Sequence, residues 1–308
     1  MTNVLKRSKT VRTPLPSSSS ARSFNYALLS ALTSLLIAGS ATAADSCDDR
    51  VDESDDCISI GKLHLAVGLG AGSRSNPVDT GRDIPLVVVP QISYYGKRFF
   101  LDNLDLGFTF YESDFNTFNL IATPGYDRVF FYQRDLQNVF AFNGFAASGP
   151  PGPQLEPEPT PEEIERDQIL ARKRAVTYHV GPEWHFEYGR VAGQLDVLYE
   201  VTGKHDGTEV RAAIATPLIE SHGVLTLSTG ATWKSSEIVT YFYGEKGTYE
   251  GGSALNPFVK LSYRLPLNDR WSIQALAHVE WLDSSISSSP IIFEHHVSTV
   301  FAGAFYSL

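Results

Sequence analysis

Basic residues are scarce in most of this chain. Of its 25 Lys and Arg, five (Lys6, Arg7, Lys9, Arg12 and Arg22) precede residue 44, leaving 20 to face 35 Asp and Glu. A formal charge near −15 beyond residue 43 argues against nucleic acid or an anionic surface as partner, since both need a basic patch. Cysteine is nearly absent too. Cys47 and Cys57 lie in one acidic stretch and no other follows, so no disulfide is available to the rest of the chain. Beyond residue 38 no apolar run is long enough for a transmembrane helix, which takes about 20 consecutive apolar residues. Catalytic signatures are missing as well. There is no Gly-x-Ser-x-Gly elbow, no His-Glu-x-x-His, and no Gly-rich phosphate loop leading into a helix. The expectation is therefore a non-enzyme without a cofactor.

What is present is a basic segment, then an apolar run from Ala27 to Ala38, then small residues at Ala41, Ala43 and Ala44. This order predicts a secretory signal peptide over residues 1–43, cut after Ala43. Residues 44–61 read as an acidic periplasmic segment. In an exported protein Cys47 and Cys57 are expected to form a disulfide. Lipidation of Cys47 fits less well, because Ala44-Asp45-Ser46 lacks the small and apolar residues expected ahead of a lipidated cysteine. Asp48, Asp49, Asp52, Glu53, Asp55 and Asp56 could attract a cation. Without the glycine and spacing of a calcium loop they read instead as a solvated tether.

From Lys62 onward the pattern changes to alternation. Val191, Gly193, Leu195, Val197, Tyr199 and Val201 share one face of a strand, with Gln194, Asp196, Glu200, Thr202 and Lys204 on the other. Trp271, Ile273, Ala275, Ala277, Val279 and Trp281 repeat the arrangement against Ser272, Gln274, His278 and Glu280. An apolar face toward lipid and a polar face toward a wet interior predict a closed antiparallel transmembrane β-barrel over residues 62–308. Strands are expected near 62–71, 85–95, 98–111, 115–123, 136–145, 175–188, 190–203, 207–218, 223–233, 256–265, 271–283 and 297–308. This gives about twelve, an even number that puts both ends in the periplasm. Short turns fall at Tyr188-Gly189, Ser221 to Gly223 and Pro266 to Arg270, and longer connections at 72–84, 146–174, 234–255 and 284–296. Trp271 and Trp281 stand ten residues apart, which on a tilted strand spans roughly 25 Å, the height between two aromatic girdles.

The connection at 148–174 opens with Pro150, Pro151, Pro153, Pro157, Pro159 and Pro161, which rule out a ladder strand. Glu162 to Lys173 could then form one short amphipathic helix. On the strand 175–188, His179, Glu183, His185 and Glu187 share a face by period two, so they are candidates for the lumen. Hydrated wall residues are the default reading there, and a metal or acid-base site the sharper one. His295 and His296 face opposite ways and make a poor joint ligand. Arg211, Lys260 and Arg264 oppose Asp196, Glu200, Glu209 and Glu280 among the inward positions, which predicts ion pairs across the lumen. Tyr241, Phe242, Tyr243 and Tyr249 cluster in one loop, either as an adhesive surface or as packing over the barrel mouth.

Val67 to Gly72 (VGLGAG), Ile84 to Pro90, Tyr94-Tyr95-Gly96, Phe99-Phe100, Gly230 to Trp233, Tyr241 to Gly244, Asn256-Pro257, Ser289 to Ile292 and Gly303 to Tyr306 together resemble the MipA/OmpV family of MltA-interacting outer-membrane proteins. The resemblance implies a non-catalytic scaffold in the outer membrane of a Gram-negative bacterium. Such a scaffold would link a murein-cleaving lytic transglycosylase with a murein synthase in cell-envelope biogenesis. A small-solute channel and a surface adhesin are the alternatives. The chain departs from the family by ending on Leu308 rather than an aromatic, and by its long Pro-rich insertion.

Overall fold

The computed structural model describes residues 61–78, 83–132 and 161–308. The expected signal peptide, the Cys47–Cys57 pair, the strand at 136–145 and most of the Pro-rich segment lie outside these residues. Twelve strands close into one barrel: β1 (Leu63–Arg74), β2 (Ile84–Tyr95), β3 (Phe99–Asp102), β4 (Asp105–Glu112), β5 (Asn116–Pro124), β6 (Tyr178–Tyr188), β7 (Val191–Glu200), β8 (Thr208–Ile219), β9 (Val224–Lys234), β10 (Ala254–Pro266), β11 (Trp271–Trp281) and β12 (His296–Ser307). Every neighbour in sequence pairs antiparallel, and β12 returns to pair with β1 from Ala66↔Ser307 to Arg74↔Thr299. No helix among the described residues is long and apolar enough to cross a membrane.

The alternation sorts side chains as its period requires. On β7, Leu195, Val197 and Tyr199 are exposed on the outer face, while Asp196, Leu198 and Glu200 are buried on the inner one. On β11, Trp271 and Trp281 are both exposed, one at each end of the strand. Trp271 packs on Tyr306 of β12 at 4.9 Å. A soluble barrel would show the reverse sorting.

The closing seam depends on glycine. A Cβ on Gly70 would sit 2.3 Å from the Ala302 carbonyl oxygen, and one on Gly68 would sit 2.5 Å from the Phe305 ring. The inner face of β1 from Gly68 to Gly72 therefore stays bare, and Phe301 and Phe305 lie over it. With Leu86, Val89 and Leu276 they form an apolar cluster on the inner wall.

The count of twelve holds, but not strand by strand: one expected strand is two, and β5 pairs directly with β6, so the strand expected at 136–145 is not one of the twelve. Residues 98–111 do not run straight: β3 and β4 form a hairpin that turns at Asn103-Leu104, with Asp102 opposite Asp105. Asn103 takes the left-handed conformation (φ 55°). Its side chain accepts from the Ile92 N–H at 3.1 Å and its amide donates to Asp102 at 3.0 Å. Asparagine tolerates this geometry and replaces missing backbone partners, which is why the turn forms inside an apolar run.

One barrel end carries the short connections after β2, β4, β6, β8 and β10 and lies beside the start of β1 and the end of β12. The other end carries the long ones after β1, β5, β9 and β11, as expected. They hold a 3-10 turn (Tyr126–Phe130), helix α1 (Pro161–Ala171), helix α2 (Ser236–Tyr243) and the short helix α3 (Ser284–Ser287). α1 matches the helix expected after the prolines, while α2 stands where only a loop was expected.

Candidate functional site

The long-loop end is filled by protein. Ile238, Val239, Phe242 and Tyr243 of α2 pack with Val129 and Phe130 of the 3-10 turn, Ile169 of α1, Ile286 of α3, and Ile291 and Val297. Tyr241, Phe242 and Tyr243 are thus buried packing over the mouth, not an exposed aromatic surface.

Arg174 ties these pieces together. Its guanidinium donates to the carbonyls of Ile169 (3.0 Å) at the end of α1, Phe242 (2.7 Å) at the end of α2, and Arg172 (3.0 Å). It also lies 3.8 Å over the Phe131 ring. Helix C-terminal carbonyls lack partners inside their own helix, so a single cation ends two helices here. Burial, and then the neighbouring Arg172 charge, lower its pKa to about 10, which keeps it charged at neutral pH.

Beneath this stopper lies a polar cavity of about 130 Å³, lined among others by Arg74, Asp127, Glu209, Arg211, Lys234 and Glu280. Asp127 comes down from the 3-10 turn to meet Lys234 of β9 at 2.5 Å, and the Tyr243 hydroxyl donates to the same carboxylate at 2.6 Å. Burial alone would push the Asp127 carboxyl up. The Lys234 charge and the two hydrogen bonds outweigh it and hold the group below the ordinary carboxylate range. Arg211 pairs with Glu209 at 2.5 Å on the same strand. The pairs expected across the lumen do not form among the described residues: Arg211 pairs along its own strand, and Lys260 and Arg264 have no ion pair. The decisive cation is Lys234. Its inner-face position follows from alternation along β9, whereas nothing in the sequence around Asp127 points to the lumen.

Of the β6 histidine set, His179, Glu183 and His185 all face inward but only Glu183 and His185 meet, and Glu187 stays exposed at the strand end. Glu183 accepts from Asn119 at 2.7 Å and contacts His185 at 3.0 Å. Among the described residues, no three His, Cys, Asp or Glu side chains are grouped to hold a metal ion. His179 packs on His205 with ring centroids 5.4 Å apart. His205 accepts the Gly207 N–H at Nδ1, and burial, then His179, hold its pKa below the usual imidazole value. His295 and His296 are exposed.

Comparison with known proteins adds a family. The model of the family described as "MltA-interacting protein MipA" matches residues 67–308, from within β1 to the last residue. No curated protein matches. Similar solved structures include a porin (7% identity, 80% of this chain and 99% of that one, TM-score 0.35) and a Pseudomonas aeruginosa FadL homologue (8%, 80% and 88%, 0.30). The attachment invasion locus protein Ail of Yersinia pestis follows at 11% identity, 81% and 99% coverage, and a TM-score of 0.19. At these scores the likenesses add nothing to the barrel read directly from strand order.

Proposed function

As the chain belongs to the family of the MltA-interacting protein MipA, we propose that it is a non-catalytic scaffold of the Gram-negative outer membrane. It holds a lytic transglycosylase that cleaves murein close to a murein synthase that extends it. The exposed apolar face of the barrel meets lipid, residues 1–43 are the export signal, and both mature ends lie in the periplasm. There the acidic segment 44–61, with its Cys47–Cys57 disulfide, and the short turns form the surface available to periplasmic enzymes.

One observation supports scaffolding over passive transport. The lumen is stoppered at the long-loop end by a packed apolar cluster rather than lined by solvated loops. Carboxylates on a tether attract a basic partner surface, an attraction that salt weakens. The experiment is pull-down from envelope extracts with the mature chain and with a chain lacking residues 45–60, at low and high salt. The lytic transglycosylase should be recovered by the first and lost from the second. Equal recovery by both would remove the tether from this reading, and recovery by neither would remove the scaffold.

A further inference from the structure

Charges on the inner wall are largely sorted by side, Arg211 of β8 and Glu280 of β11 being exceptions. Asp102, Asp105, Glu183, Asp196, Glu200 and Glu209 sit on strands β3 to β8. Across the lumen, β1, β10 and β11 carry Arg74, Lys260 and His278 on one unbroken cross-strand row. Arg74 faces Thr299, Thr299 faces His278, His278 faces Lys260, and Lys260 faces Ser228. Direct antiparallel neighbours stand about 4.5–5.5 Å apart at Cα. The long side chains of Arg74 and Lys260 can therefore both reach the space over Thr299 and His278.

None of the three basic groups has an ion-pair partner among the described residues. Arg74 rests 5.0 Å from the Phe130 ring, and its buried Nε has no hydrogen-bond partner. Of the nearby acids, Asp127 is held by Lys234 and Tyr243, while Glu280 accepts from the neutral Asn256 amide at 2.9 Å and keeps its charge beside Arg74 in the same cavity. Beside Lys260 and His278 the wall is partly apolar. Phe258 lies 5.5 Å from the His278 ring, and Leu276 and Phe301 occupy the next inner row toward the short-turn end. Asp127 and Glu209 are paired with Lys234 and Arg211, so Glu280 alone offsets Arg74 and Lys260, and an added anion lowers the cost of holding both cations there. Arg74, Lys260 and His278 are only partly buried, so the lumen reaches them. Arg264, four residues nearer the short-turn end on the same face of β10, is exposed at the approach.

We propose that this row binds a small oxyanion, a carboxylate or a phosphate, with Arg74 and Lys260 as its charged clamps and Thr299 and His278 between them. The site does not depend on the scaffold reading and stands or falls separately. It is tested by calorimetric titration of the folded full-length mature chain in detergent with inorganic phosphate and, separately, with acetate. The native chain should bind at least one of them saturably at concentrations up to about 10 mM, and Arg74→Gln and Lys260→Gln should each weaken that binding about tenfold or more. Arg190→Gln, in the short β6–β7 turn where it pairs with Glu220, should bind as the native chain does. Phosphate alone, acetate alone or both would each identify the preferred oxyanion. No saturable binding of either, or a folded Lys260→Gln chain that binds as tightly as the native one, would overturn the proposal. Should Arg74→Gln fail to fold, Lys260→Gln decides.

Discussion

Replacing Arg174 with alanine should open the stopper while leaving the barrel closed. The side chain is 2% exposed and serves three carbonyls on two helices and the segment after α1. Each orphaned buried acceptor costs about 1–3 kcal/mol, and the lost stacking on Phe131 adds to that. Water entering from the mouth repairs part of the loss, so about 3–5 kcal/mol is the net expectation for Arg174→Ala. No strand contributes to these bonds, so the cost falls on the packing of α1 and α2. Two measurements separate stopper from wall. Heat-dependent gel mobility should show a folded barrel in both proteins, while planar-bilayer recordings should change from a silent native chain to discrete conductance in the variant. Arg174→Lys should fall between them, because an ammonium cannot fork to three carbonyls at these positions. A variant as silent and as heat-resistant as the native chain would refute the assignment of Arg174 as the tie.

Three further perturbations test the other parts. Lys234→Met leaves the Asp127 carboxylate buried with only Tyr243 as partner and should cost about 3–5 kcal/mol in denaturant unfolding, with much of it recovered when Asp127→Leu is added. Equal stability of single and double variants would show that the pair is not coupled. Gly70→Ala puts a methyl 2.3 Å from a backbone oxygen across the β1–β12 seam, so refolding yield into lipid should drop sharply, whereas Ala71→Gly, on the outer face, should fold normally. Because burial lowers the His205 pKa, the unfolded chain takes up the proton first. The stability from its neutral ring is complete above the ordinary imidazole value of 6.5 and declines as pH falls below it. The unfolding midpoint should therefore drop on acidification toward about pH 5, and His205→Gln should flatten part of that drop.

The regular parts of the wall were legible because a period of two is dictated by the strand itself. β7 and β11 follow it from end to end, and Trp271 and Trp281 mark the two ends of one strand. The β3–β4 hairpin was hidden because Phe99 to Tyr111 stays apolar enough to read as one strand, and the turn depends on one asparagine adopting a left-handed conformation. Helix α2 was hidden for a different reason. Ile238, Val239, Tyr241, Phe242 and Tyr243 are β-branched or aromatic and have little intrinsic helix preference, and Ser235 makes no side-chain cap. Burial against α1, α3 and the 3-10 turn selects the helix, which no local pattern reveals. The lumen pairs were half legible for the same reason. Arg211 and Glu209 lie two apart on one strand, but Lys234 finds Asp127 across 107 positions of sequence.

The sorting of alternate side chains between hydrocarbon and lumen is tested most directly along β11. Single spin labels at each position from Ser272 to Glu280, in the chain reconstituted into lipid bilayers, report contact with lipid-soluble oxygen and with a water-soluble paramagnetic complex. Oxygen contact should peak at Ile273, Ala275, Ala277 and Val279 and fall at Gln274, Leu276 and His278. A profile without that two-residue period, or with its phase reversed, would contradict the account.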